Sequence, residues 1–283
     1  MRFSEARQIF KQRVSEPFPD SELDELLMRT LEHLTGNSRQ QIRLHEFNLH
    51  DTGAFNAIVD QLNTGRPVQY ILGYEWFGDL KLHVNESVLI PRPETYELVQ
   101  WATEILQTSG KSPQTLLDMG TGSGCIALSL KNKFPSVRVL AADISRKALE
   151  VATANAAHLQ LDIQTLPLNM HCLDPLPVNQ VDMIISNPPY IAPEEANTME
   201  RQVLEFEPPE ALFVTNRDPL QFYKALAQYA IRYLAADGHI LMELNQEFAK
   251  DTEDYFKQLG FQTMLRKDMY GNYRMLKCKN PMQ

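Results

Sequence analysis

The sequence predicts an α/β fold. The expected architecture is a Rossmann-like, mostly parallel sheet covered by helices, with an antiparallel terminal hairpin and a small helical domain in front. Three observations carry this. The first 69 residues hold apolar stripes at helix spacing. From "TLLDMG" onward, short apolar runs suited to strands alternate with helical stretches, the pattern of βαβ units around a parallel sheet. At the end, "FQTMLRKDMYGNYRMLKCK" holds two strand-like runs about Gly271-Asn272, a turn dipeptide that makes them an antiparallel hairpin at the sheet edge.

Taken in order, the elements are justified locally. In "PDSELDELLMRTLEHLTGN", Leu23, Leu26, Leu27, Leu31 and Leu34 share one stripe, with Ser21 as the expected N-cap and Gly36 as the stop. Phe55, Ile58, Val59 and Leu62 form a second stripe that ends at Gly65 before Pro67. From Tyr70 the period changes, and "EWFGDLKLHV" reads as two extended runs about Gly78-Asp79, a connecting β-hairpin over 70–87. Residues 1–69 then form the helical domain and 88–283 the α/β domain. In the latter, "TLLDMG", "VRVLAAD", "VDMIIS" and "HILMEL" are the expected strands, and "GCIALSLKNKF", "SRKALEVATANAAHL" and "PLQFYKALAQYAIRYLAADG" the helices.

Composition narrows the function classes. No window of 18 uninterrupted apolar residues exists to span a bilayer, and "MRFSEARQIFKQRV" lacks the apolar core of a secretory signal, so a cytoplasmic protein is expected. Three scattered cysteines, Cys125, Cys172 and Cys278, are too few for a disulfide framework or a structural zinc site, and are expected to be reduced thiols with no metal bound. The net charge of -9 disfavours direct binding of duplex nucleic acid.

Three constellations could carry chemistry. In "LLDMGTGSGCIALSL", a strand ending at Met119 meets Gly120, Thr121, Gly122, Ser123 and Gly124 before a helix begins. Glycines there let the backbone turn and approach a ligand, and helix-start amides favour polar or anionic groups; the bland reading is a flexible turn. Asp143 ends the next strand, where a carboxylate can accept both hydroxyl hydrogens of a ribose. Its competing role is the N-cap of the following helix, although Ser145 could fill that place. An adenosine-containing cofactor is expected, and since G-x-G-x-G is not the G-x-G-x-x-G of nicotinamide enzymes, NAD(P) is the second-best candidate within that class. Finally, in "VDMIISNPPYIAPEE" a buried strand runs into Asn187-Pro188-Pro189-Tyr190. The prolines fix φ and remove donors. The Asn187 and Pro188 carbonyls could hold both hydrogens of an NH2 group while Tyr190 packs on its planar face. Alone, the tetrapeptide also reads as a proline-rich turn.

Together, "DMGTGSG", "AAD" and "SNPPY" resemble the class I S-adenosylmethionine-dependent methyltransferases that modify exocyclic or amide nitrogens. With "RPVQYILGYEWFGDLKLHV" and "VLIPRPETYELVQW", nearly the whole chain resembles the PrmC (HemK) family, the glutamine methyltransferases of peptide chain release factors. The resemblance implies S-adenosylmethionine as cofactor and S-adenosylhomocysteine as product, with Gly120 to Gly124 around the methionine end, Asp143 on the ribose, and Asn187 close to both cofactor and substrate. It also implies that Asn187, Pro188, Pro189 and Tyr190 bind the target glutamine, with Asn187, Pro188 and Tyr190 in the catalytic roles. Asn169, Met170, His171 and Cys172 are the candidates for the adenine side, and Tyr96 stands where the family usually has an acid.

The expected reaction is methyl transfer to the side-chain amide of the glutamine in a release factor's Gly-Gly-Gln motif. It needs neither a metal nor a strong base, because the methylated nitrogen is acidic enough to lose its proton to water. The helical domain is expected to dock the release factor, and the protein to act as a monomer. Two rivals share the nitrogen chemistry. They are a glutamine methyltransferase of a large-subunit ribosomal protein and, further off, an adenine-specific nucleic-acid methyltransferase, which would want a basic face.

Overall fold

The computed structural model describes residues 2–15, 18–49, 51–108, 114–214 and 218–280. Met1, Glu16, Pro17 and His50 of the expected helical domain, and 109–113, 215–217 and 281–283 of the expected α/β domain, lie outside the described residues. The chain divides into two compact units: residues 1–74 with 200–206, and residues 75–199 with 207–283.

The first unit contains α1 (Phe3–Arg13), α2 (Asp20–Thr35), α3 (Arg39–Leu44), α4 (Thr52–Leu62) and α5 (Val68–Leu72). Leu27 and Leu31 of the first leucine stripe are fully buried, as are Phe10, Ile42 and Val59, and the Phe10 and Phe55 rings meet edge to face at 6.1 Å. Each such side chain contributes roughly 1.5–3 kcal/mol by leaving water, which is why these short helices hold together as a cluster. α4 is capped by the Asp51 carboxylate, which accepts from the Ala54 N–H at 2.7 Å. α2 stops at Gly36, whose φ of +70° is the left-handed conformation that glycine tolerates.

Two expectations change here. Ser21 is not the N-cap of α2: the helix starts at Asp20 behind Pro19, whose fixed φ already sets the entry direction. Nor does extended structure begin at Tyr70, because Pro67 starts one more helical turn and Gly73, at φ +78°, ends it. The strand pair is therefore β1 (Tyr74–Phe77) and β2 (Leu80–His83). At its turn Gly78 has φ +59°, and a Cβ there would sit 2.3 Å from the Tyr96 ring. Tyr96 thus packs on the hairpin, edge-on to Phe77 at 5.3 Å.

The second unit continues with α6 (Pro93–Thr108), β3 (Thr115–Met119), α7 (Cys125–Lys133), β4 (Arg138–Asp143), α8 (Arg146–Leu159), β5 (Gln164–Pro167) and β6 (Val181–Ser186). After α9 (Arg201–Phe206), which groups with the first unit, come α10 (Pro209–Leu212), α11 (Gln221–Tyr233), β7 (Leu234–Glu243), α12 (Ala249–Gln258), β8 (Gln262–Lys267) and β9 (Tyr273–Lys279). The sheet order is β5-β4-β3-β6-β7-β9-β8, parallel except for β9, which runs antiparallel to both neighbours. Successive strand residues serve opposite cores, as the two-residue period requires. Leu116, Val139 and Ile185 face the cluster shared with α6 and α7, while Leu117, Leu140 and Ile184 face the one shared with α11 and α12.

α6, α12 and β5 are elements that the apolar pattern alone did not mark. A third expectation is corrected: "LAADG" does not extend α11, which ends at Tyr233. Leu234 already pairs beside Val181, and the register then jumps to Met183 opposite His239, so the residues between bulge out of the ladder. Gly238 is required there, since a Cβ would lie 2.8 Å from the Leu234 side chain.

Strand order places the site. The chain runs from β3 outward through β4 and β5, then returns to the other side of β3 with β6 and β7. That reversal opens a crevice at the carboxyl ends of β3 and β6. The Ser186 hydroxyl ties the two ends together by donating to the Met119 carbonyl at 2.6 Å.

Candidate active site

One cavity occupies this crevice, lined by Gly120, Thr121, Gly122, Ser123, Asp143, Asn187 and Pro189 among others. Gly124, Pro188 and Tyr190 are not part of its lining.

The glycine loop is fixed from both sides. The Gly120 and Thr121 N–H groups both donate to the Ala142 carbonyl, at 2.8 and 2.9 Å. Beneath them, Asp118 is fully buried and its Oδ2 accepts from the Thr121 hydroxyl at 2.6 Å and the Ala127 N–H at 3.1 Å. Its Oδ1 has no hydrogen-bond partner among the described residues. Burial pushes the Asp118 carboxyl up to about 7, against those hydrogen bonds. Gly124 caps α7 at φ +83°, the left-handed conformation that favours glycine, and a Cβ there would crowd the Leu128 side chain at 3.1 Å and Ala152 of α8 at 3.3 Å. A Cβ at Gly122 would meet nothing within 4 Å, so that backbone faces open space.

Asp143 joins the loop to β4. Its Oδ2 accepts from the Gly122 N–H at 2.9 Å and its Oδ1 from the Ser145 N–H at 2.9 Å. Burial raises its pKa, while these backbone donors pull the other way. The N-cap of α8 is Ser145, accepting from the Ala148 N–H, which leaves Asp143 for the cavity.

Of the four residues considered for the far wall, Asn169, Met170 and His171 line the cavity; Cys172 is exposed and does not. Phe222 of α11 supplies the aromatic that the local sequence lacks, with its ring 4.7 Å from the His171 ring. Ile144 also lines the cavity, yet is 64% exposed, an apolar surface available to a flat ring. On the rim, Arg92 pairs with the buried Glu207, which also accepts from the Ile90 N–H at 3.2 Å. Arg92 is thereby neutralised, so Asp143 and Glu210 leave the cavity acidic. The cavity suits a ligand with a cationic end, adjacent hydroxyls and a flat apolar ring.

Asn187 follows β6. Its side-chain NH2 donates to the Thr95 hydroxyl at 3.0 Å, and Thr95 donates to Glu243 at the end of β7 at 2.7 Å. Tyr190 does not cover the cavity: its hydroxyl donates to the same Glu243 at 3.1 Å, and its backbone carbonyl accepts from Asn245 at 3.2 Å. Tyr190 is thus an anchor of the Asn187 loop. Thr95, Glu243, Arg92, Glu207 and Phe222 had no sequence signal as site residues. "PRPET" marked the neighbourhood of the first, but not what Thr95 bonds to.

No helix among the described residues is long and apolar enough to cross a membrane, and no group of three or more His, Cys, Asp or Glu among them could hold a metal ion.

Fold and cavity together define a class I methyltransferase. Residues 98–212 match the Methyltransferase small domain family, and the fold is shared with a methyltransferase from Pyrococcus furiosus at a TM-score of 0.51 and 16% identity, over 71% of this chain and 89% of that one. The particular family follows from closer relatives. Over 226 residues the chain is 43% identical to the release factor glutamine methyltransferase of Flavobacterium psychrophilum, covering 79% of each chain. Over 257 residues it is 34% identical to that of Lactococcus lactis, covering 90% of this chain and 93% of the relative. The chain belongs to the release factor glutamine methyltransferase family, an enzyme family whose methyltransferase fold implies use of S-adenosylmethionine.

Proposed function

We propose that this protein transfers a methyl group from S-adenosylmethionine to the side-chain amide nitrogen of the glutamine in the Gly-Gly-Gln motif of a peptide chain release factor. One observation carries the reading: Asn187 lines the same cavity as the glycine loop and Asp143. A planar amide at Asn187 and a methyl donor at Gly120 to Ser123 would therefore share one space. When bound, S-adenosylmethionine supplies an electrophilic methyl group on a sulfonium sulfur. The chain's own residues do the rest. Gly120, Thr121, Gly122, Ser123 and Gly124 shape the methionine end, Asp143 takes the ribose hydroxyls, and Ile144, Met170, His171 and Phe222 frame the adenine.

An amide nitrogen is a poor nucleophile because its lone pair is delocalised into the carbonyl. The Asn187 side-chain carbonyl accepts one NH2 hydrogen, orients the nitrogen, and stabilises the positive charge that grows on it; the Pro188 backbone carbonyl, outside the cavity lining as it stands, would take the second hydrogen once substrate is seated. Pro188 and Pro189 offer no N–H to compete. The helical unit around α1 to α5 docks the body of the release factor, so deletion of residues 1–74 should spare cofactor affinity and abolish methylation of the intact factor.

Labelled S-adenosylmethionine should be incubated with the enzyme and, in separate tubes, a purified release factor, a large-subunit ribosomal protein and an oligonucleotide. Label is expected in the release factor alone. Label in either of the other two, with none in the release factor, would replace this reading by one of its rivals.

A further inference from the structure

Glu243 is 2% exposed and both of its carboxylate oxygens are engaged. The Thr95 hydroxyl donates to Oε2 at 2.7 Å and the Tyr190 hydroxyl to Oε1 at 3.1 Å. A hydroxyl has one hydrogen, and an ionised carboxylate can only accept. The Thr95 hydrogen is therefore committed to Glu243, and the Thr95 oxygen can only accept from its other neighbour, Asn187 at 3.0 Å. That decides an orientation which heavy atoms alone do not. The Asn187 NH2 must face Thr95, and its carbonyl is left for the cavity. A reversed amide would set one lone pair against another at Thr95 and present a donor to an incoming donor.

We infer that Glu243 is a positioning residue for methyl transfer: through Thr95 it fixes which end of the Asn187 amide meets the substrate nitrogen, and through Tyr190 it holds the other end of the same loop. This rests on the proposed function, since only an NH2-bearing substrate needs the carbonyl end. A buried carboxylate that loses a partner is costly, so the network is also a unit: weakening Thr95 leaves Glu243 short of a donor and Asn187 free to turn.

Protonation reverses the logic. A neutral Glu243 can donate to Thr95, releasing the Thr95 hydrogen to an Asn187 carbonyl turned the wrong way. Burial raises the Glu243 carboxyl to about 6, opposed by the hydrogen bonds from Thr95 and Tyr190 and by the Arg274 charge, and reinforced by Glu94. The titratable and charged groups facing it are Glu94 from α6, Cys125 from α7, Tyr190 after β6, Tyr223 from α11 and Arg274 from β9. Burial pushes Cys125, Tyr190 and Tyr223 upward, so these three stay neutral through this range. Asp118 titrates nearby but braces the glycine loop and makes no bond to Thr95.

The test compares the full-length wild type, Thr95→Val, Thr95→Ser and Glu243→Gln, with a purified release factor and saturating S-adenosylmethionine, reading kcat against pH and the cofactor dissociation constant. Wild-type kcat should fall on the acid side with a midpoint near 6. Thr95→Val should lose on the order of tenfold or more in kcat at neutral pH, keep cofactor affinity within about threefold, and lose the acid limb. Thr95→Ser, which keeps the oxygen, should recover most of the rate and the limb. Glu243→Gln, which cannot titrate, should lack the limb even if its stability is reduced. Wild-type kcat and an unchanged acid limb in Thr95→Val, or a limb that persists in Glu243→Gln, would overturn the inference alone. No transfer to the release factor by the wild type would overturn the proposed function and this inference with it.

Discussion

The two walls of the cavity are built by different means. The wall at Gly120 to Ser123 is backbone, held by ladder-like bonds to Ala142 and by Asp143 accepting from Gly122, all within two adjacent strands and their loops. The wall at Asn187 is side chain, held by Thr95 from the start of α6, 92 positions from Asn187, and through it by Glu243 from the end of β7, 148 positions from Thr95. A backbone wall can recognise shared features of one cofactor with few committed side chains. A side-chain wall can choose between donor and acceptor, which is what selecting a target nitrogen requires. The contrast implies that damage to one wall should show in cofactor affinity and damage to the other in turnover.

The largest effect should come from the acceptor wall. Asn187→Ala is expected to cut kcat by roughly a hundredfold or more, the cost of one group that hydrogen-bonds in the transition state, with cofactor affinity nearly unchanged. Single-turnover transfer and a calorimetric titration with cofactor separate the two; near wild-type transfer would remove Asn187 from its role. Asp143→Asn should do the opposite. Losing a charged hydrogen-bonding group is worth about 1.5–3 kcal/mol, so cofactor should bind roughly ten- to a hundredfold more weakly, while kcat at saturation moves little.

Asp118 sharpens the comparison from below, because it supports the backbone wall without lining the cavity. Its folded-state carboxyl is raised to about 7 from an ordinary 3.8, so the folded protein retains a proton that the unfolded chain releases. The stability Asp118 contributes is therefore complete below about pH 4 and lost as pH rises through about 7. Asp118→Asn carries no such proton. Relative to that variant, the wild type should lose stability between pH 4 and 7, on the order of 3 kcal/mol, read as diverging melting temperatures.

How much of this was legible in the sequence follows the same division. The glycine loop, Asp143 and Asn187 were readable because each sits where a strand ends, and strand, glycines and acid follow one another locally. Thr95, Glu243, Glu207 and Phe222 were not, because their meaning lies in contacts that the strand order creates between distant segments. Tyr190 was legible as a residue of interest but not in its role, since nothing in "NPPY" shows a buried carboxylate waiting for its hydroxyl. In the fold, Leu234 to Gly238 read as helix because alanine-rich segments suit one; the pairing of Leu234 beside Val181 overrode that preference.

The smallest effect belongs to the first unit, which contributes to neither wall. Asp51→Ala removes the side-chain cap of α4 and should cost about 0.5–2 kcal/mol of stability with no change in turnover on a short Gly-Gly-Gln peptide. Thermal melting and peptide methylation measure the two separately, and a fall in turnover would mean that the helical unit influences chemistry as well as stability.

The central claim, that this cavity methylates a glutamine amide, is tested most directly by mapping the product. After reaction with an intact release factor, fragmentation mass spectrometry should locate a single methyl group on the side-chain nitrogen of the Gly-Gly-Gln glutamine. A methyl group on any other residue, or none on that glutamine under conditions where cofactor is consumed, would contradict the account.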